Sequence, residues 1–147
     1  MCEIGDTLDE HRFLKFHQLL TNDFLPTRNT KRSNINKYSQ NKNYFMLLLK
    51  NDEELAGYVA YKLLSKKRWK IIGIAIKKEY RKKGFGEKLI KSALTRIEKT
   101  GPTAIIARTR ESNRGSQALL TRVGFEKYRT ILDDRVNGEA TIWFRKK

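Results

Sequence analysis

Cysteine is nearly absent from this 147-residue chain. Cys2 stands alone, so no internal disulfide can form, and a reducing, cytoplasmic setting is the expected compartment. Histidine is almost as scarce. His11 and His17 lie too far apart in register to share one helix face as a metal pair would, and without a Cys/His cluster no metal site is expected. The two prolines, Pro26 and Pro102, mark no linker, and no segment repeats. One domain spanning residues 1–147 is therefore expected. The longest apolar runs are about six residues, far short of a membrane span. The start, Met1-Cys2-Glu3-Ile4-Gly5-Asp6, is acidic and unlike a secretory signal. No serine or cysteine stands in an activating context for a covalent nucleophile.

Acidic residues are also few. There are 16 of them against 32 basic ones, which leaves a formal charge of +16. The excess is concentrated. From Lys62 to Lys91 nearly every charge is positive, including Lys66, Lys67, Arg68, Lys70, Lys77, Lys78, Lys82 and Lys83, with only Glu79 and Glu87 opposed. Such a field draws polyanions. Two readings of it stay open. One is a solvated surface that maintains solubility; the other is an acidic partner such as RNA, the ribosome or an acidic protein.

Hydrophobic patterning gives an α/β order. Asp9 to Leu20 reads as an amphipathic helix, and a first strand can only be short, near Cys2 to Ile4. Pro26 to Asn43 is polar and basic, a loop or a second helix. Tyr44–Leu49, Gly57–Leu64 and Trp69–Ile76 read as strands of an antiparallel meander. A helix from Gly84 to Lys99 ends at Thr100-Gly101-Pro102. Leu89, Ile90, Ala93, Leu94 and Ile97 share its apolar face. A strand at Thr103–Thr109 is then parallel to its predecessor. A helix at Asn113–Val123 follows, then a hairpin of Phe125–Leu132 and Glu139–Phe144 with Asn137-Gly138 as its turn.

The junction Arg81-Lys82-Lys83-Gly84-Phe85-Gly86 carries the chemistry. It joins an apolar strand to a helix start, where N–H groups lack intrahelical acceptors and negative charge is favoured. Its glycines let a bulky anion approach the backbone. The loop lacks the Lys-Ser/Thr of a P-loop, because Gly86 is followed by Glu87 and Lys88. It also lacks the third glycine of a dinucleotide fingerprint.

Arg81-x-x-Gly84-x-Gly86 resembles motif A of the GNAT superfamily of acyl-CoA-dependent N-acyltransferases. Asn113, Ser116 and Gly124-Phe125 resemble its motif B, in the right order and spacing. The resemblance covers roughly residues 58–128 and implies a mixed central β-sheet flanked by helices, with an antiparallel meander and a parallel central pair splayed into a V. It implies acetyl-CoA as co-substrate and no metal. Ile74, Ala75 and Ile76 then face the pantetheine arm, with an N–H near Ile74 or Ala75 polarising the thioester. Arg81, Lys82, Lys83, Gly84, Phe85, Gly86 and Glu87 hold the pyrophosphate, and Asn113 contacts the arm or orients the second helix. Gly73 inside its strand suggests a bulge or close packing.

Two departures from the family pattern stand out. Leu120 occupies the position of the usual proton-donating Tyr, and Arg108 that of a Glu base found in some relatives. Glu111 and Tyr128 are the remaining catalytic candidates. Arg108 is either a site for an acidic group on the acceptor or a solvated strand charge. The resemblance implies an N-acetyltransferase for a primary amine, acting as a monomer or homodimer, its acceptor acidic or nucleic-acid associated. The missing residues keep an alternative open, a weakened GNAT-fold module binding RNA, ribosome or another acidic partner.

Overall fold

The computed structural model describes residues 2–5, 43–52 and 54–147. The expected helix at Asp9–Leu20, His11, His17 and nearly all of the polar segment after Pro26 lie outside the described residues.

The described strands are β1 (Cys2–Gly5), β2 (Tyr44–Asn51), β3 (Glu54–Ser65), β4 (Arg68–Ile76), β5 (Ala104–Arg110), β6 (Phe125–Ile131) and β7 (Thr141–Lys146). The described helices are α1 (Phe85–Glu98) and α2 (Arg114–Arg122), with a short 3-10 turn at Lys78–Tyr80. The strands form one sheet in the order β1-β2-β3-β4-β5-β7-β6. β2 to β4 make the expected meander, β1 adds antiparallel to β2, and β4 and β5 make the expected parallel pair across the α1 crossover. Among the described residues no helix is long and apolar enough to cross a membrane.

The core lies between one sheet face and the helices. On α1, Leu89, Ile90, Ala93, Leu94 and Ile97 are buried, the stripe that the 3.6-residue period marks. They meet Leu47, Leu49 and Val59 from the meander and Phe125 and Phe144 from the last strands. A smaller cluster of Met46, Leu48, Tyr58 and Ala60 occupies the opposite face. Backbone crowding is tightest at Gly57. A Cβ there would stand 2.7 Å from the Ala75 carbonyl oxygen, so only glycine lets β3 pass β4 at this point.

One reading of the last strands needs correction. The connection between β6 and β7 is a long loop over residues 132–140, not a two-residue turn. Asn137-Gly138 does turn the chain, but inside that loop, where the Gly138 N–H donates to the Arg135 carbonyl. Next to the turn the Asp134 and Arg135 N–H groups both donate to the Glu139 carbonyl, at 3.1 and 3.0 Å, while the side chains of Arg135 and Glu139 are engaged elsewhere. Arg135 is buried and donates from Nε to Thr141 Oγ1 at 2.9 Å. The Glu139 carboxylate accepts from the Ser112 N–H at 2.8 Å. β7 also inserts between β5 and β6, so β6 is the sheet edge.

Candidate active site

The parallel pair does not stay paired. β4 and β5 match from Arg68 opposite Ala104 to Ile71 opposite Ala107. Beyond that point no described strand pairs with the β5-facing edge of Ile72–Ile76. On its other edge β4 continues against β3, from Gly73 opposite Ala60 to Ile76 opposite Gly57. Ile72 is an extra residue there, because the register steps from Ile71–Tyr61 to Gly73–Ala60. That bulge increases local twist and swings the end of β4 away from β5. The register supports the bulge reading of this stretch, and among the described residues nothing lies within 4 Å of a Cβ placed on Gly73.

A cleft of about 640 Å³ opens where the strands separate, a volume suited to a small-molecule ligand. One wall is the open edge at Ile74, Ala75 and Ile76, and the loop side contributes Arg81, Lys82, Gly84, Phe85 and Gly86. Asn113 and the first turn of α2 close the third side. Lys83 and Glu87 belong to the same loop and helix start but do not line the cleft. A narrower space of about 100 Å³ continues inward between the strands, where Gly73, Arg108 and Arg135 are met.

Local sequence explains the loop. Tyr80 is fixed by a hydrogen bond from Asn51 Nδ2 at 3.0 Å. Arg81 turns back and donates from Nε to the Ile76 carbonyl at 2.8 Å, which ties the loop to the strand end. Lys82 and Gly84 both have positive φ, 61° and 81°. Gly84 is the residue before α1 and supplies no side-chain cap. The first N–H of α1 bonded to a carbonyl one turn back is Lys88, which donates to Gly84. The N–H groups of Phe85, Gly86 and Glu87 therefore have no acceptor within the helix. Arg81, Lys82, Arg110 and Arg114 line this cleft, and no described Asp or Glu does. An uncapped helix start among cations is a site for an anion.

Glu87 has a different task from the one its position suggests. Its side chain bridges Lys91 at 3.1 Å and Arg122 at 3.6 Å, linking α1 to α2. The hydrogen bond from Lys91 lowers its pKa. Asn113 caps α2, with Oδ1 accepting from the Ser116 N–H at 3.0 Å. Asn113→Ala is expected to cost about 1 kcal/mol of stability, and Asn113→Ser a small part of that, as read by urea unfolding.

The two catalytic candidates are not brought to the cleft lining. Glu111 is exposed at the end of β5, where its Oε2 accepts from the Ala140 N–H at 3.4 Å and its carbonyl from Gln117 Nε2 at 2.7 Å. Tyr128 lies on the edge strand β6, 40% exposed, with the Arg145 guanidinium over its ring. Both side chains serve the β5–α2 and β6–β7 regions. Arg110, which lines both spaces, was not singled out from sequence, although Arg108-x-Arg110 is the spacing that puts two strand residues on one face.

The model of the acetyltransferase (GNAT) family matches residues 13–125. No curated protein matches the chain. Among solved structures, Ard1 from Thermoplasma volcanium superposes with a TM-score of 0.83 at 11% identity, covering 99% of this chain and 96% of that one. The ribosomal-protein-S18-alanine N-acetyltransferase from Escherichia coli gives 0.80 at 19% identity, covering 99% and 93%. A GNAT family acetyltransferase from Elizabethkingia anophelis, solved with acetyl-CoA bound, gives 0.74 at 13% identity, covering 99% and 97%. These likenesses show the fold, a mixed sheet with a splayed parallel pair, while the family match extends over most of the sequence. On that match, the chain belongs to the GNAT acetyltransferase family.

Proposed function

We propose that this protein is an N-acetyltransferase that uses acetyl-CoA and a primary amine together in one ternary complex. The observation that carries the reading is the uncapped start of α1, which meets the open edge of β4 in one cation-lined cleft. Acetyl-CoA supplies an activated acetyl thioester. The N–H groups from Lys82 to Glu87 hold its pyrophosphate, with Arg81, Lys82 and Lys83 adding charge. Ile74 and Ile76 offer backbone groups to the pantetheine arm as a neighbouring strand would. An N–H at Ile74 or Ala75, beside the bulge, polarises the thioester carbonyl. Asn113 keeps α2 in place at the far wall.

The amine attacks directly. A nitrogen–carbon bond forms, the carbon–sulfur bond breaks, and sulfur leaves with the electron pair. The amine's protons pass to solvent. A thiol has a pKa of about 8.5, so its thiolate leaves without a dedicated acid. The absence of a Tyr at Leu120 and the positions of Glu111 and Tyr128 are compatible with this route. The same absences favour the binding-module reading, so one assay separates the two. Purified protein, acetyl-CoA and a panel of amines are mixed, and CoA thiol release is followed. Amine-dependent release supports the transferase. Acetyl-CoA binding with no release for any amine would favour the module.

A further inference from the structure

We propose that the acceptor amine carries a carboxylate, received by Arg108, Arg110 and Arg135 at the inner end of the cleft. This inference rests on the acetyltransferase reading and names its substrate class.

The cations gather by register. Side chains alternate across a strand, so Arg108 and Arg110 project to the face opposite Ala107, which packs in the helix-side core. Trp143 stands beside Arg108 on β7, and Lys70 lies two strands away on β4. The Lys70 ammonium is 5.0 Å from the Trp143 ring and the Arg108 guanidinium 5.6 Å. Lys62 pairs directly with Lys70 across β3 and β4, a like-charge pairing that sheets avoid. Arg135 reaches the same space from the loop before β7 and is 5% exposed.

Two features point to an anionic guest. No described Asp or Glu lines either part of the cleft, although Asp134 and Glu139 act on Arg135, and Glu139 on Arg110, from the loop before β7. Arg110 Nε is buried with no hydrogen-bond partner among the described residues, although Arg110 lines both parts. Buried donors of this kind are costly to leave unmet, and a carboxylate accepts from Arg in a two-pronged contact. Arg135 donates from Nε to Thr141 and contributes charge more than a donor.

The same cations serve the chemistry. Positive neighbours favour an amine's neutral form, the form that attacks. Lys70 reports this field: burial, then Arg108, Lys62 and Arg135, lower its pKa to about 8. An acceptor amine anchored by its carboxylate beside these groups would lose its proton more readily than in water. Electrostatics would then replace part of the missing general base.

The test compares glutamate α-amide with the peptide Glu-Glu-Gly-amide, each against its glutamine counterpart, with phosphoethanolamine as a further arm. CoA release gives kcat/KM. Carboxylate acceptors are expected to exceed their carboxamide counterparts by about tenfold or more. Arg108→Gln should collapse that ratio, and Arg110→Gln serves if the first variant does not fold. Whichever of glutamate or peptide is faster identifies the source. A separate readout needs no turnover. Glutarate should change the tryptophan fluorescence of the CoA-loaded protein, and glutaramide should not. Acetyl transfer that favours neutral, cationic or phosphorylated amines overturns the inference and leaves the acetyltransferase reading standing, as does a CoA-loaded protein indifferent to glutarate. Failure to bind acetyl-CoA overturns both.

Discussion

Gly84→Val is expected to weaken acetyl-CoA binding by about 100-fold or more while the protein still folds. Gly84 has φ 81° and ψ 6°, in the left-handed region. A residue with a Cβ pays roughly 1–2 kcal/mol there, and a β-branched one more. The cost falls at the helix entry and spares the packing of Leu89, Ile90, Ala93, Leu94 and Ile97, so circular dichroism should remain near wild type. A Cβ at Gly84 meets no atom of the described residues within 4 Å. The valine methyls would instead occupy the space through which a pyrophosphate reaches the N–H groups of the first turn. Gly86 offers a graded comparison. A Cβ there would touch Leu119 Cδ2 at 3.4 Å, so Gly86→Ala should be milder in both stability and affinity. Equal affinities for wild type and Gly84→Val, measured by calorimetry, would sink the assignment of this loop.

Lys70→Met is expected to stabilise the protein by about 2–3 kcal/mol near pH 7, an effect that disappears as the pH approaches 10.5. The Lys70 pKa falls from 10.5 to about 8, through burial first and then through Arg108, Lys62 and Arg135. A lysine depressed in the folded state binds fewer protons there than in the unfolded chain. Its cost is therefore full below the folded value of about 8, fades between 8 and 10.5, and is gone above. Within that window wild type gains on the variant as pH rises. The cation–π contact with Trp143, at 5.0 Å, offsets part of the gain in the variant by about 0.5–1 kcal/mol. Urea unfolding of both proteins from pH 6 to 10.5 reads the difference, and taking the difference cancels the other titrating groups. A variant less stable than wild type at pH 7 would mean that Lys70 is compensated by a counter-charge.

The two effects differ in how visible their causes are in sequence. The Gly84 loop was legible because it is local. A strand, two glycines and a 3.6-residue stripe are contiguous, and α1 buries the five residues that its period marks. The parallel pair was also legible, since a helix between two strands allows little else. The V was available only through resemblance. Its cause is an extra residue, Ile72, in the pairing of β4 with β3, and a register shift has no clear sequence signature. The inner cluster was half legible. Arg108 drew notice as a departure from the family pattern, but Arg110 and Arg135 did not. Arg135 was hidden because it falls in the connection around Asn137-Gly138, where a charged residue reads as solvated. In the structure Thr141 and the sheet draw Arg135 inward. Glu111 and Tyr128 were proposed from proximity in sequence and topology. Each is held by partners, Ala140 and Arg145, outside the cleft lining.

The measurement that bears most directly on the central claim is a calorimetric titration of nuclease-treated protein with acetyl-CoA, with dephospho-CoA and free pantetheine as comparisons. The account predicts micromolar or tighter binding of acetyl-CoA and a large loss for pantetheine, which lacks the pyrophosphate that the start of α1 is proposed to hold. Equal binding of acetyl-CoA and pantetheine, or no binding of either, would contradict it.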